Sequence, residues 1–224
     1  MKKIISLVII AAMMVFALAS CGGSKKGDDD KGDDKVVRYT ITAEEWAALE
    51  NIKNFTLEMS GTSSYTMGEE SMNSTNSRTL KSTETAMYEK YESTDGEEEY
   101  TSETYSVIKD DVRYELDQGE DEKWYASEYD WEVDSLLECV TDGTDVTFED
   151  LTYNEEKKAY VYTVTEDGAT ITYTYYFEDG NLVKLEGVMS GSMDTVTMTA
   201  TANMVISNIG TTTVTVPEYT IPEE

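Results

Sequence analysis

From Phe55 onward the chain alternates apolar and polar residues, stretch after stretch, and that two-residue period commits most of it to β-structure. Phe55-Thr-Leu-Glu-Met-Ser-Gly61 is the clearest case, with Phe55, Leu57 and Met59 alternating against Thr56, Glu58 and Ser60. Similar stretches rich in Thr, Tyr and Val predict strands over 55–67, 78–91, 98–108, 112–117, 123–129, 146–153, 159–166, 169–178, 182–190, 194–208 and 212–217. The breaks between them carry turn chemistry. Glu166-Asp-Gly168 and Glu178-Asp-Gly-Asn181 suit tight hairpins, Lys109-Asp-Asp111 suits an Asx turn, and Asn154 to Lys158 forms a longer polar turn. The two prolines, Pro217 and Pro222, leave every interior strand able to donate its ladder hydrogen bonds. Sequential hairpins imply antiparallel neighbours in a meander.

Two segments depart from this period. Thr42 and Glu45 stand at capping-box spacing, and Trp46, Leu49 and Ile52 then recur every third residue, which predicts a short helix with one apolar stripe. Trp131-Glu-Val-Asp-Ser-Leu-Leu-Glu-Cys-Val140 places apolar residues at 133, 136, 137 and 140, again helical spacing, with Asp130 as the expected N-cap. The expected architecture is mainly β (α+β): a long curved antiparallel sheet with two helices against it.

The N-terminus has another logic. Lys2 and Lys3 precede an apolar run from Ile4 to Leu18, a signal-peptide pattern too short to span a bilayer comfortably. Leu18-Ala19-Ser20-Cys21 matches the lipobox of bacterial lipoprotein signals, in which small residues precede the cleavage point and the cysteine thiol takes a diacylglycerol. That resemblance implies removal of residues 1–20, lipidation of Cys21, and a protein anchored to the cell membrane on its extracytoplasmic side. Acyl chains contribute on the order of 0.8 kcal/mol per buried methylene, so two or more hold such a protein stably. Residues 21–37 mix Gly with charge and bury nothing, so they read as a tether of about 20 Å reach. Its aspartates, Asp28, Asp29, Asp30, Asp33 and Asp34, do not fit an EF-hand loop, because glycine falls at the fifth position from Asp28 and not the sixth. The folded domain is expected over 38–218, with a tail at 219–224.

A formal net charge of −29 makes nucleic acid a poor partner. With Cys21 committed to lipid, Cys139 has no intramolecular partner, and it reads as a small buried apolar residue among acidic neighbours. The chain has no histidine, no Gly-x-Ser-x-Gly elbow and no phosphate-binding glycine loop. We therefore expect no enzyme activity, no catalytic residue, no metal site and no cofactor.

Taken with the lipobox at Cys21, the N-terminal helix feeding a long strand (Glu44 to Leu49, then Asn54 to Met59), the consecutive hairpins and the closing Asn208-Ile-Gly-Thr-Thr-Thr-Val-Thr-Val-Pro217, the chain resembles the LolA-like superfamily of bacterial lipoproteins, including its LppX-like lipid binders. The resemblance implies a half-barrel sheet with both helices on its concave face and an apolar space between them for an acyl chain. Trp46, Leu49, Leu136 and Leu137 would then form a lid, and Leu57, Met59, Val161, Ile171, Tyr173 and Leu185 a wall. The function implied is binding or carrying an apolar or amphiphilic, lipid-like ligand at the cell envelope. The same residues also satisfy a filled core, since apolar alternation serves either arrangement. The 16 tyrosines open a second reading, a carbohydrate- or protein-binding adhesion module using Tyr100, Tyr105, Trp124, Tyr125, Tyr129 and Trp131. Tyrosine is equally a routine strand former.

Overall fold

The computed structural model describes residues 37–96, 98–130, 132–141, 144–166, 168–193 and 196–221. The signal segment, Cys21, the tether up to residue 36 and Trp131 lie outside the described residues. The first helix, α1 (Ala43–Ala48), starts where the capping box puts it: the Thr42 hydroxyl accepts from the Glu45 N–H, and the Glu45 carboxylate accepts from the Thr42 N–H. A 3-10 turn, Leu49–Asn51, tightens its end and delivers the chain to the sheet.

Among the described residues twelve strands then form one open, curled sheet, antiparallel except for one parallel pair at its edge. They are β1 (Phe55–Met67), β2 (Glu70–Ser82), β3 (Ala86–Thr94), β4 (Glu99–Lys109), β5 (Val112–Gln118), β6 (Trp124–Glu128), β7 (Thr152–Asn154), β8 (Ala159–Glu166), β9 (Ala169–Glu178), β10 (Asn181–Met193), β11 (Val196–Ser207) and β12 (Tyr219–Thr220). Their spatial order, β12-β6-β5-β4-β3-β2-β1-β11-β10-β9-β8-β7, makes two meanders joined along a central seam where β1 pairs with β11. The connection from β6 to β7 crosses the sheet from edge to edge and carries the second helix, α2 (Leu136–Thr141).

Several expected boundaries are corrected. The strand expected at 78–91 is two strands, β2 and β3, and β2 begins eight residues earlier, at Glu70. The stretch 146–153 is not one strand: it holds a 3-10 turn, Phe148–Asp150, and the start of the short β7. Residues 212–217 form no ladder: they run as a strap over the sheet until Tyr219 and Thr220 pair with β6. Asp130 does not cap α2. It faces Arg113, while Ser135 and Glu138 supply the cap, the Ser135 N–H donating to the Glu138 carboxylate at 2.6 Å. The Lys109-Asp-Asp111 turn is a two-residue hairpin with both aspartates at positive φ, the geometry that matches strand twist.

Because side chains alternate across a strand, the register fixes two faces. The inner face carries both helices. Trp46, Leu49, Leu136 and Val140 pack there on Phe55, Leu57, Leu80, Tyr160, Tyr175, Phe177, Leu182 and Leu185. Trp46 meets Tyr175 edge-on at 5.3 Å. A second apolar cluster, Met189, Met198 and Ala200 with Tyr65 and Ile171, lies further along the same strands. The third is on the opposite, outer face: Ala86, Val107, Tyr114, Leu116 and Ala126 are covered by Val214, Val216 and Tyr219 of the strap. The hydroxyl pair Thr56–Thr212, 2.9 Å apart, pins the start of that strap. Among the described residues all three clusters draw their members from Ile41 to Tyr219, so the chain from Val37 onward supplies these buried contacts.

Candidate ligand-binding hollow

The inner face is not uniformly filled. One rank of side chains across it reads Tyr160, Tyr175, Leu185, Met204, Met59, Arg78, Tyr91, Ser102. The next rank reads Tyr162, Tyr173, Gly187, Ala202, Gly61, Asn76, Ser93. Three neighbouring strands thus contribute Gly187, Ala202 and Gly61 side by side, where other ranks place Leu185, Met204 and Met59. Gly187 and Ala202 line a hollow of about 70 Å³, room for several waters or a short run of methylene groups.

Its lining is mainly apolar. Met59 comes from β1, Ala200, Ala202 and Met204 from β11, Leu185, Gly187 and Met189 from β10, and Ile171 and Tyr173 from β9. Cys139 and Val140 of α2 overhang one end, and Arg78 of β2 borders another. Methionine is unbranched and polarizable, so a wall with three of them adapts its shape at low cost. Burial pushes the Cys139 thiol up to about 12, with nearby Asp134 adding to the effect, so this cysteine stays protonated and unreactive at neutral pH.

Of the expected wall and lid residues, Met59, Ile171, Tyr173 and Leu185 border the hollow. Trp46, Leu49, Leu57 and Leu136 lie in the filled cluster beside it, and Leu137 packs against that cluster. Val161 faces the other way: it pairs with Thr174, while its neighbours Tyr160 and Tyr162 point inward. The hollow therefore lies between the helix-covered core and the Met189 cluster, and not beneath both helices. Gly187, Ala200, Ala202 and Arg78 were not anticipated from the sequence. Small residues carry no periodic signal, and their meeting depends on the register of strands far apart in the chain.

The polarity of the inner face changes at β1–β2. Apolar side chains fill it from β8 to β1, whereas β2 to β4 offer Asn76, Arg78, Glu89, Ser93, Ser102 and Thr104. The outer face differs again, with a threonine-rich rank of Thr163, Thr172, Val188, Thr201, Thr62, Thr75 and Thr94, in which Thr163–Thr172 and Thr62–Thr201 hydroxyls pair. The aromatics of the adhesion reading do not share a platform. Tyr105 and Trp124 meet edge-on at 5.0 Å within the strap-covered outer cluster, whereas Tyr100 and Tyr125 point to the opposite face. Among the described residues no group of three or more Cys, Asp or Glu side chains could hold a metal ion, and no helix is long and apolar enough to cross a membrane.

No protein-family model and no curated protein matches the chain. Solved structures similar to it include an S-type phycobiliprotein lyase, CPES, from Guillardia theta, at 11% identity and TM-score 0.25 over 66% of this chain and 85% of that one. A DUF1329 family protein from Desulfovibrio piger aligns at 8% identity and TM-score 0.27 over 74% of this chain and 88% of that one.

Proposed function

We propose that this protein is a membrane-anchored, extracytoplasmic lipoprotein of LolA-like type whose β domain binds or carries an apolar or amphiphilic, lipid-like ligand at the cell envelope. The observation that carries the reading is the facing pair Gly187 and Ala202, small residues that line an apolar hollow beside an otherwise close-packed core. Close packing is the norm in protein interiors, and apolar space of this kind accepts apolar guests. Each methylene buried there contributes about 0.8 kcal/mol. The anchor rests on the lipobox residues Leu18 to Cys21. On this reading the protein acts by binding alone and is not an enzyme: the described thiol is protonated and the chain has no histidine to serve as base.

Native mass spectrometry of residues 37–224 purified from bacteria tests the ligand reading. Adducts of lipid mass, displaced by a fluorescent fatty acid, are expected. A bare mass together with no binding of that probe overturns it.

A further inference from the structure

Arg78 borders the hollow at the line where the inner face turns polar, one strand beyond Met59. Among the described residues it is the one cation lining the hollow. Its guanidinium is held by Glu89 of β3: Nε lies 2.7 Å from one carboxylate oxygen, and Nη2 donates to the other at 2.8 Å. Nε itself makes no hydrogen bond despite that proximity, so the Nη2 bond is what ties the guanidinium to Glu89. Nη1 makes no hydrogen bond among the described residues, so the end-on edge, Nη1 with Nη2, remains for another acceptor. The other charges nearby are engaged elsewhere. Glu138 bonds to Ser135 and pairs with Lys53, and burial pushes the Asp134 carboxyl up toward its neutral form.

We infer that the hollow takes a single-chain amphiphile with an anionic head, its tail over Gly187 and Ala202 and its carboxylate or phosphate on the free edge of Arg78. The inference rests on the lipid-binding reading above and adds the head group and the direction of the chain. A guanidinium only donates hydrogen bonds, so it selects an acceptor head, and bidentate geometry favours carboxylate or phosphate over a single hydroxyl. An ammonium head has no acceptor to offer the guanidinium.

The test compares dodecanoate, dodecanol and dodecyltrimethylammonium, equal in chain length, on residues 37–224 and on the Arg78→Met and Arg78→Lys variants, by calorimetry. Dodecanoate should bind about tenfold tighter than dodecanol, the worth of one charge-assisted hydrogen bond, and the ammonium weakest. Arg78→Met should erase the difference between acid and alcohol; Arg78→Lys, which keeps charge and loses the fork, should retain part of it. If dodecanol or the ammonium binds the unaltered protein as tightly as dodecanoate, the head-group inference falls and the lipid-binding reading stands. If none of the three binds, both fall. A variant that fails to fold is recognised by its circular dichroism, and the unaltered protein's preference among the three heads then decides.

Discussion

Gly187 lies opposite Ala202 across the β10–β11 ladder, and a methyl placed on Gly187 would stand 3.0 Å from the Ala202 Cβ. The strands leave no room for a side chain on Gly187, whereas Ala202 lines the hollow and a single larger residue there should close it. Ala202→Leu projects toward that space, so it should cost no more than about 1–3 kcal/mol through overpacking while reducing fatty-acid binding at least about tenfold. Fluorescent fatty-acid titration beside urea unfolding separates the two effects. Unchanged binding would place the ligand elsewhere.

On the lipoprotein reading proposed above, the lipid is carried by the thiol of Cys21. Cys21→Ser should abolish incorporation of a palmitate analogue in growing cells and move the protein out of the membrane fraction. Persisting label in the variant would mean that the lipobox is not used.

The outer cluster depends on the strap. Truncation after Gly210 removes Val214, Val216 and Tyr219 from Leu116, which is fully buried beneath them. We expect a loss of about 3 kcal/mol, similar to that of Leu116→Ala, with the helix-covered core intact. Denaturant midpoints measure it. Equal stability of the truncated chain would show that the strap only rests on the sheet.

Acid should weaken the N-terminal junction. Bonds from Arg38, and then from the Thr42 backbone, hold the Glu45 carboxyl down to about 2. A carboxyl lowered in the folded state stabilises above its ordinary pKa of 4.5, and that contribution fades as pH falls from there toward 2. Glu45→Gln should therefore lower stability at neutral pH and flatten the dependence in that window. Urea midpoints from pH 2 to 6 read the slope; parallel curves for the two proteins would count against the contact.

Three strands are legible in the sequence residue for residue: β1, β8 and β9, where apolar alternation coincides with clear turn signals. The start of β2 is not, because Glu70-Ser-Met-Asn-Ser-Thr-Asn-Ser77 has almost nothing apolar to alternate. Its strand form follows from pairing with β1 on one side and β3 on the other. The strap misleads for the opposite reason. Thr-Val alternation at 212–216 marks burial of one face, but that face packs across strands, and the Thr212 N–H is satisfied by the Asn54 side chain instead of a ladder. In β8, the identity of the inward residue was decided by size. Tyr160 fills the space under Phe148 and Phe177 and leaves Val161 outside. Of the hollow, Met59, Ile171, Tyr173 and Leu185 were readable from alternation, whereas Met189, Met204 and the small residues Gly187, Ala200 and Ala202 were not.

The β1–β11 seam has a consequence for how the protein reaches its working form. Thr56 pairs with Ser207, so the centre of the sheet cannot close until almost the whole chain is present. Hairpins within each meander can assemble locally, but joining the halves closes a loop of that span, and folds dominated by such distant pairings are slow. A chain threaded through a membrane from its N-terminus would emerge as one half-sheet with an unpaired β1 edge. Its last step would be the arrival of β11, which also completes the floor of the hollow.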